Sequence, residues 1–357
     1  MFVALRDIRF ARGRFALMGA VVTLLTTLVV FLYGLTGGLA RDSSSAVAEL
    51  PVDAVAFGAL AGAEPEVSFP SSSVSAEQAE TWAGADGVRA ALPLGVAMTR
   101  VSGAGTAGSV SVFGGDRALV PPLREGAAPG VGEVAVSAAA AREFGLRTGR
   151  TVRLGTTELS VSGITADRAH GHAPTVWTDL PTWRQVTGQD RPTVLALTLA
   201  AGADTGALDA RTGTRTVPVD AALEGIASYT AEQGSLQLIQ GFLFAVSALV
   251  TGAFFTVWTV QRKPDIAVLK AVGASSGYLV RDALAQAAAV LLAGALLGAG
   301  LGVLGGAFAA RGVPFALSAS VVAVPVGAIV VLGLAGAALA VRRITSVDPL
   351  TALGASR

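Results

Sequence analysis

Residues 261–278 read QRKPDIAVLKAVGASSGY and separate two long stretches without charged residues. They contain Lys263 and Lys270, the only two lysines of the chain. Loops rich in lysine and arginine tend to stay on the cytoplasmic side of a membrane. We therefore expect a short cytoplasmic segment that joins two membrane spans and can bind a soluble partner.

The composition is typical of a membrane protein. Of the 357 residues, 52% are hydrophobic and 14% are charged, whereas soluble domains contain about 25% charged residues. The net charge of +1 gives no support for nucleic-acid binding. The absence of cysteine excludes disulfides and thiolate metal sites.

Four long apolar stretches predict transmembrane helices, each of which needs about 20 apolar residues. The predicted spans are residues 15–40, 235–261, 279–310 and 311–341. The predicted fold is thus a membrane protein with four transmembrane α-helices. One α+β extracytoplasmic domain, residues 41–234, is inserted between the first and second spans.

The distribution of basic residues orients these spans. Arginines precede the first span, basic residues lie in the loop 262–278, and two arginines begin the tail, residues 342–357. These three segments are expected in the cytoplasm, which puts residues 41–234 outside the cell membrane. Residues 1–14 should form an amphipathic helix on the cytoplasmic surface of the bilayer.

The exterior segment combines short β patterns with glycine-containing turns. Ser137 can cap a short helix over residues 137–144, and Gly145 can end it. Residues 64–80 are rich in proline, serine and glutamate and are predicted to form a loop. The predicted strands are residues 110–114, 133–136, 151–154 and 158–164.

Both histidines of the chain, His170 and His172, lie in this exterior segment. Imidazole is the commonest metal ligand, but two histidines without cysteine or a second pair make a weak metal site. No firm metal site and no intrinsic cofactor is therefore predicted. The tryptophans of the neighbouring aromatic run, Trp177 and Trp183, are predicted to lie in the domain core.

A polar stripe leads into the second span. Polar residues at spacings of three and four share one face of a helix; here they are Tyr229, Glu232 or Gln233, Gln237 and Gln240. Polar side chains that enter lipid are costly unless they face protein, water or a ligand. The stripe indicates either hydrogen bonding between helices of two subunits or a substrate-facing surface at the outer mouth of the spans.

The third span contains four glycines at intervals of four residues: Gly294, Gly298, Gly302 and Gly306. A face of this kind lets another helix approach closely. The glycine spacing superficially resembles a phosphate-binding loop, but it lies within an apolar helix, which makes a nucleotide fold implausible.

The cytoplasmic loop has the signals of a short helix. Pro264 suits its first turn, Asp265 complements its positive end, and Gly273 can end it in a left-handed cap. Three residues line one side: Ile266, Leu269 and Lys270. Exposed apolar residues rimmed by charge favour docking into a groove on a partner. A helix that lies on lipid is the alternative.

The string RKPDIAVLKAVGAS resembles the coupling segment of the MacB/FtsX-type permeases of ABC transporters. GEVAVSAAAAREFGLRTGRTV is similar to the strand-helix-hairpin of that family's exterior domain, and the order of spans and exterior domain also matches. The resemblance implies a homodimer that works with two copies of a separate ATPase, coupled through this helix and the basic Lys263 before it. Pro264 departs from the family pattern, in which a polar or acidic residue is commoner.

No phosphate-binding P-loop occurs in the chain. The chain is therefore not expected to be an enzyme, and no catalytic residues are predicted. The partner ATPase would bind ATP-Mg and hydrolyse it.

Three strings resemble the haem-exporter and DevC-like branch of this family: RFARGRFALMGAVV, YTAEQGSLQLIQGFLF and TVQRKPDIAVLKAVGAS. The branch implies efflux of haem across the plasma membrane. Haem iron accepts a phenolate, so Tyr229 is a candidate ligand, with Glu232 as its neighbour. Gln233, Gln237 and Phe31 would complete the site. The alternatives are export of peptides, lipids or antibiotics, and an FtsX-like mechanotransmitter that regulates a cell-wall hydrolase.

Overall fold

The computed structural model describes residues 12–60, 62–103, 106–261, 268 and 272–345. The chain divides into two compact units. We call Leu39–Gln233 the sheet unit, and Met1–Gly38 together with Gly234–Arg357 the helical unit. Most of the predicted surface helix at residues 1–14, and most of the predicted tail at 342–357, lies outside the described residues.

The helices and strands are numbered along the chain. The helices described from end to end are α1 (Arg12–Ala48), α2 (Ala76–Ala83), α3 (Ala138–Phe144), α4 (Leu180–Thr187), α5 (Thr205–Thr212), α6 (Val219–Ala222), α7 (Ala227–Gln261), α8 (Ser276–Ala309) and α9 (Ala319–Thr345). The strands are β1 (Ala54–Phe57), β2 (Val88–Gly103), β3 (Thr106–Gly114), β4 (Leu123–Gly126), β5 (Glu133–Ser137), β6 (Thr151–Leu154), β7 (Thr157–Thr165), β8 (Ala169–His170), β9 (Ala173–Thr178), β10 (Val194–Leu199) and β11 (Arg215–Pro218).

Four helices, α1, α7, α8 and α9, are long and apolar enough to cross a membrane. The last one begins at Ala319, later than the predicted start at residue 311. Residues 312–318 are not helical, because Pro314 lacks a backbone N–H and disfavours helix in the residue before it. A Cβ on Gly38 of α1 would lie 2.2 Å from the Pro314 carbonyl oxygen, so this glycine lets the connection pack directly on α1.

The sheet unit is built on a mixed sheet with the strand order β11-β1-β10-β2-β3-β9-β5-β7-β4. The long strand β2 pairs with β10 along its first part and with β3 along its second part. β3 and β9 are parallel, as are β5 and β7, whereas the other pairs are antiparallel. Short helices cover the sheet, so the predicted α+β class of this unit is confirmed.

The aromatic run forms core, as predicted. Trp177 and Trp183 are at most 1% exposed. Trp177 packs on Phe113 with ring centroids 4.6 Å apart, in one buried cluster, and Trp183 lies with Phe144 in a second cluster. Large aromatic side chains bury more apolar area than other residues, so these two clusters fix the strands that carry the candidate site.

Most local predictions in the sheet unit are confirmed. Strands β3, β5, β6 and β7 contain the four predicted strand segments. Helix α3 starts after Ser137, whose hydroxyl accepts the Ala140 N–H at 3.2 Å, and it ends at the left-handed Gly145. The loop predicted at 64–80 is wrong in its last part, because α2 begins at Ala76. Its start is a capping box formed by Ser75 and Gln78.

Candidate functional site

The candidate site is built around a tight hairpin between β8 and β9. Its turn consists of Gly171 (φ 59°) and His172 (φ 62°), flanked by the paired residues His170 and Ala173. A two-residue hairpin with positive φ at both central positions is a type I′ turn. Histidine is among the non-glycine residues that tolerate this conformation best. One histidine, His170, therefore precedes Gly171 of the turn, and the other, His172, follows it.

The last turns of α1 run along this hairpin. The contacts are Gly171 N–H to the Ser43 carbonyl (2.9 Å), Ala169 N–H to Ser45 Oγ (2.9 Å) and the ion pair Arg168–Glu49 (2.5 Å). Ser43 and Ser45 are buried. The serine run that follows the first apolar stretch thus satisfies hairpin backbone groups that would otherwise lack partners.

His172 lies between two carboxylates. Its Nδ1 is 3.1 Å from Asp42 of α1 and its Nε2 is 2.7 Å from Glu232 of α7. Burial lowers the pKa of His172, but the hydrogen bond to Asp42, together with the charge and hydrogen bond of Glu232, raises it by more. The net effect is a pKa above the ordinary 6.5. When it is protonated, the imidazole donates to both carboxylates and ties the end of α1 to the start of α7.

The predicted haem residues divide between the two units. Tyr229, Glu232 and Gln233 belong to the sheet unit, whereas Phe31 and Gln237 belong to the helical unit. Tyr229 is half-buried against the core cluster of Trp177, and Glu232 is bonded to His172. Gln233 is half-buried and Gln237 is exposed. Phe31 packs on Phe315 with centroids 5.2 Å apart.

The structure brings Glu232 and His172 together, and it adds Asp42, which sequence reasoning missed. Asp42 and His172 are 130 residues apart in the chain, and no local pattern links them. The only signal was the glycine before His172, which is typical of a tight turn.

The weak metal prediction for His170 and His172 gains no support. Among the described residues, no group of three or more histidine, cysteine or acidic side chains is arranged to hold a metal ion. Both ring nitrogens of His172 already contact carboxylates, whereas His170 packs edge-on against Phe69 and Phe113. The two histidines therefore have separate surroundings.

The polar stripe of α7 ends in a hydrogen bond within the helical unit. Gln240 is buried, and its Nε2 donates to Thr36 Oγ1 of α1 at 2.9 Å. The far end of the stripe thus joins two helices of the same chain.

The glycines of α8 lie against α1 and the 312–318 connection. A Cβ on Gly298 would lie 2.6 Å from the Thr23 carbonyl oxygen, and one on Gly306 would lie 2.3 Å from the Phe315 ring. Gly294 and Gly302 face Val22 and Val30 in the same way. Thr27 Oγ1 also donates to the Gly298 carbonyl at 3.1 Å. These glycines therefore permit a close helix crossing inside one chain.

Only part of the predicted cytoplasmic helix is described. Lys263, Pro264, Asp265, Ile266, Leu269 and Lys270 lie outside the described residues. The Val272 N–H donates to the Val268 carbonyl at 3.1 Å, which is a helical hydrogen bond. Gly273 follows with φ 102°, on the left-handed side as predicted. Val268 is 63% exposed and Val272 is 84% exposed, so the end of the segment presents apolar surface.

The chain matches two family models. Residues 16–215 match the MacB-like periplasmic core domain, and residues 238–349 match the FtsX-like permease C-terminal domain. The first match begins inside α1 and covers all but the last strand residues of the sheet. The second covers α8, α9 and most of α7.

Two related proteins align with this chain over nearly their whole length. A protein of Staphylococcus haemolyticus, provisionally named as the hemin transport system permease protein HrtB, is 26% identical over 99% of both chains. An uncharacterised ABC transporter permease of Mycobacterium bovis is 27% identical over 99% of both chains. Among solved structures, the periplasmic region of MacB from Actinobacillus actinomycetemcomitans aligns with a TM-score of 0.39 at 10% identity, covering 50% of this chain and 93% of that one.

The domain matches agree with the architecture. Four apolar helices and a mixed-sheet domain between the first and the second of them are present. Matches to both characteristic domains, in the order found here, account for nearly the whole chain. The chain therefore belongs to the MacB/FtsX-type permeases of ABC transporters and is a multi-pass protein of the plasma membrane.

Proposed function

We propose that this permease exports haem from the cell with energy from ATP hydrolysed by a separate ATPase. The observation that carries the proposal is the start of α7, where Tyr229 and Glu232 precede the apolar part of the same helix. The name of the Staphylococcus haemolyticus relative supports the same substrate.

The chemistry of these residues suits haem as a substrate. Haem iron binds phenolate oxygen, which Tyr229 can supply, and a carboxylate such as Glu232 is a weaker ligand. Glu232 is held by His172 at 2.7 Å, so binding to iron requires this contact to open. Gln233, which belongs to the same unit, would offer a hydrogen bond to a propionate.

The energy source is a second part of the proposal. Two copies of the ATPase, each with bound ATP-Mg, would dock on a homodimer of this chain. Docking would use the segment 262–278, with both chain termini on the same, cytoplasmic side. The exposed Val268 and Val272 support a docking role because apolar side chains at the end of a charged loop favour burial against a partner.

The substrate is tested by the haem absorption spectrum of the purified permease in lipid nanodiscs. We expect a shifted Soret band for the wild type and a weaker, altered band for the Tyr229→Phe/Glu232→Ala double variant. Glu224→Ala, an exposed glutamate of the same unit, is the control. An unchanged spectrum and unchanged protection from haem toxicity in the double variant would reject haem ligation by these residues. ATPase stimulation by a peptide, lipid or antibiotic, without stimulation by haem, would reject haem as the substrate.

The docking role is tested with the assembled transporter. Leu269→Asp and Val272→Asp should abolish substrate-stimulated ATPase activity while membrane insertion stays normal, because a charge on the docking face cannot be buried without a partner. Leu249→Ala, at an exposed apolar residue in the middle of α7, should leave the stimulation unchanged. Full stimulation in both aspartate variants would contradict docking through this segment.

A further inference from the structure

The sheet unit contains a cavity of about 800 Å³ beside His170. Its walls come from β2, from the segment between β1 and α2, from the segment between α4 and β10, from the β8–β9 turn and from the start of α7. Sites for small organic molecules have volumes of about 300–1,000 Å³. The cavity therefore has the size of a small-molecule site.

His170 is held rigidly in the wall of this cavity. The side chain is 8% exposed. Its ring meets Phe69 and Phe113 edge-on, with both centroids 5.5 Å away. Two perpendicular aromatic contacts fix the plane of the imidazole. The ring is thus oriented before any ligand binds.

Two residues of the cavity lining each carry a buried polar atom without a hydrogen-bond partner among the described residues. His170 Nδ1 and Ser228 Oγ are buried, and neither has a hydrogen-bond partner among the residues that the structure describes. Both residues line the same cavity. Buried polar atoms in proteins are nearly always paired, and each exception calls for an explanation. A ligand that bonds to both residues would explain the two exceptions together.

The remaining lining limits the charge of such a ligand. Phe69, Val96 and Ile226 contribute buried apolar surface. The charged lining residues are Asp190 and Arg191, which are adjacent, exposed and of opposite sign. Burial lowers the pKa of His170 to about 4, so its imidazole is neutral near pH 7 and offers one donor and one acceptor. An uncharged ligand fits this lining best.

We propose that this cavity binds an uncharged, mostly apolar small molecule with a hydroxyl or similar hydrogen-bonding group, held by His170 and Ser228. The site lies wholly within the sheet unit and does not depend on haem export. Ala227 and Ser228 open helix α7, and the β8–β9 turn is bonded to α1. A bound molecule therefore contacts the start of α7 and the β8–β9 turn, which is itself hydrogen-bonded to α1.

The test uses two probes that differ by one hydroxyl group, 2-naphthol and naphthalene. Binding of each to the full chain in nanodiscs is measured by equilibrium dialysis, with empty nanodiscs as the measure of partition into lipid. We expect saturable binding of both probes above the empty-disc level. Affinity for 2-naphthol should be the higher of the two, because only its hydroxyl can bond to His170 and Ser228.

Three variants separate the contributions. His170→Phe keeps the aromatic packing and removes the nitrogens, and Ser228→Ala removes the hydroxyl. Each should weaken 2-naphthol binding by up to about tenfold, the effect of one hydrogen bond, and leave naphthalene binding nearly unchanged. Ala227→Trp adds bulk at an exposed position of the lining and should weaken both probes. Ala231→Trp, which is exposed on the same helix but outside the lining, is its control.

Two results would overturn the proposal. Binding no greater than to empty nanodiscs, or binding that Ala227→Trp leaves intact, would mean that the cavity is not a site. Equal losses for both probes in His170→Phe and Ser228→Ala, with an unchanged melting temperature, would reject the polar anchors. A wild-type preference for 2-naphthol that only these two variants remove would support them.

Discussion

His170 and His172 lie on one hairpin with a single glycine between them, yet their surroundings are opposite. His170 faces Phe69 and Phe113 inside the sheet unit, and burial lowers its pKa to about 4. His172 is exposed and lies between Asp42 and Glu232, which together raise its pKa above the ordinary value. The same side chain is thus a neutral hydrogen-bonding group on one side of the turn, whereas on the other side its surroundings favour the cation.

The difference shows that chain neighbours do not determine what a histidine does. The positive φ of Gly171 and His172 reverses the chain within two residues, so that the two imidazoles meet different walls. Desolvation alone lowers the pKa of His170, whereas at His172 the hydrogen bonds and charges of Asp42 and Glu232 together outweigh desolvation. Variants that place the same side chain in both environments test the comparison directly.

The largest effect is expected from a charge at each position. His170→Lys puts an ammonium among buried aromatic rings and should lower the free energy of unfolding by at least about 3 kcal/mol. His172→Lys keeps a cation beside two carboxylates and should change it by less than about 1 kcal/mol. Thermal unfolding of the full chain, followed by the fluorescence of the buried tryptophans, measures both. Equal losses in the two variants would contradict the contrast between the two walls.

A second effect is a pH dependence from His170. Its pKa is about 4 in the folded chain and about 6.5 when unfolded, so the unfolded state binds the proton first as the pH falls. Stability should therefore decrease between about pH 6.5 and pH 4, by roughly 3 kcal/mol in total, and level off below pH 4. Other groups titrate in this range, so the comparison is between wild type and His170→Phe.

His170→Phe should remove that part of the acid sensitivity. Between pH 7 and pH 4 the free energy of unfolding should fall further in the wild type than in the variant. Identical pH profiles for both proteins would mean that His170 is more accessible to water than its position in the cavity wall suggests.

The turn that separates the histidines provides a third, smaller test. Gly171 has φ 59° and enough room for a methyl group, since the nearest atom to an added Cβ is Met98 Sδ at 3.9 Å. Gly171→Ala should thus cost only the left-handed backbone, about 1–2 kcal/mol. Gly188→Ala, at the left-handed end of α4 with nothing near its added Cβ, is a matched control and should cost about the same. A much larger loss at Gly171 would show that the turn transmits strain to both histidines.

Much of the fold could be predicted because it depends on local patterns. The apolar stretches, the cap at Ser137 and the left-handed Gly145 and Gly273 each depend on a few consecutive residues. The start of α9 and the helix α2 differ from the predictions, because Pro314 interrupts an apolar stretch and Ser75 caps a helix within a polar one.

The site could be predicted only in part. Tyr229 and Glu232 followed from helical spacing, which is local. The environment of His172 depends on Asp42 and Glu232, which are 130 and 60 positions away in the chain. His170 likewise contacts Phe69 and Phe113, which belong to distant segments. The cavity is likewise made by segments that only the folded sheet brings together. No periodicity in the sequence encodes such contacts.

The smallest effect is expected at His172 itself. Asp42→Asn and Glu232→Gln each remove one negative charge and should lower the pKa of His172 toward 6.5, with the double variant lowest. The chain has only two histidines, so proton NMR can follow each imidazole as the pH is changed. The pKa of His170 should stay the same in all three variants, which makes it an internal control.

The corresponding stability change has a definite sign. Because the pKa of His172 is raised on folding, its contribution to the free energy of unfolding is fully present below about pH 6.5. This contribution is lost as the pH rises through the pKa of the folded state. The exposed position of His172 keeps this contribution below about 1 kcal/mol, and added salt should reduce it further. A contribution that grows above pH 7, or that salt does not weaken, would mean that the two carboxylates hold a neutral His172. In that case the two histidines would not differ in charge, and only their burial would distinguish them.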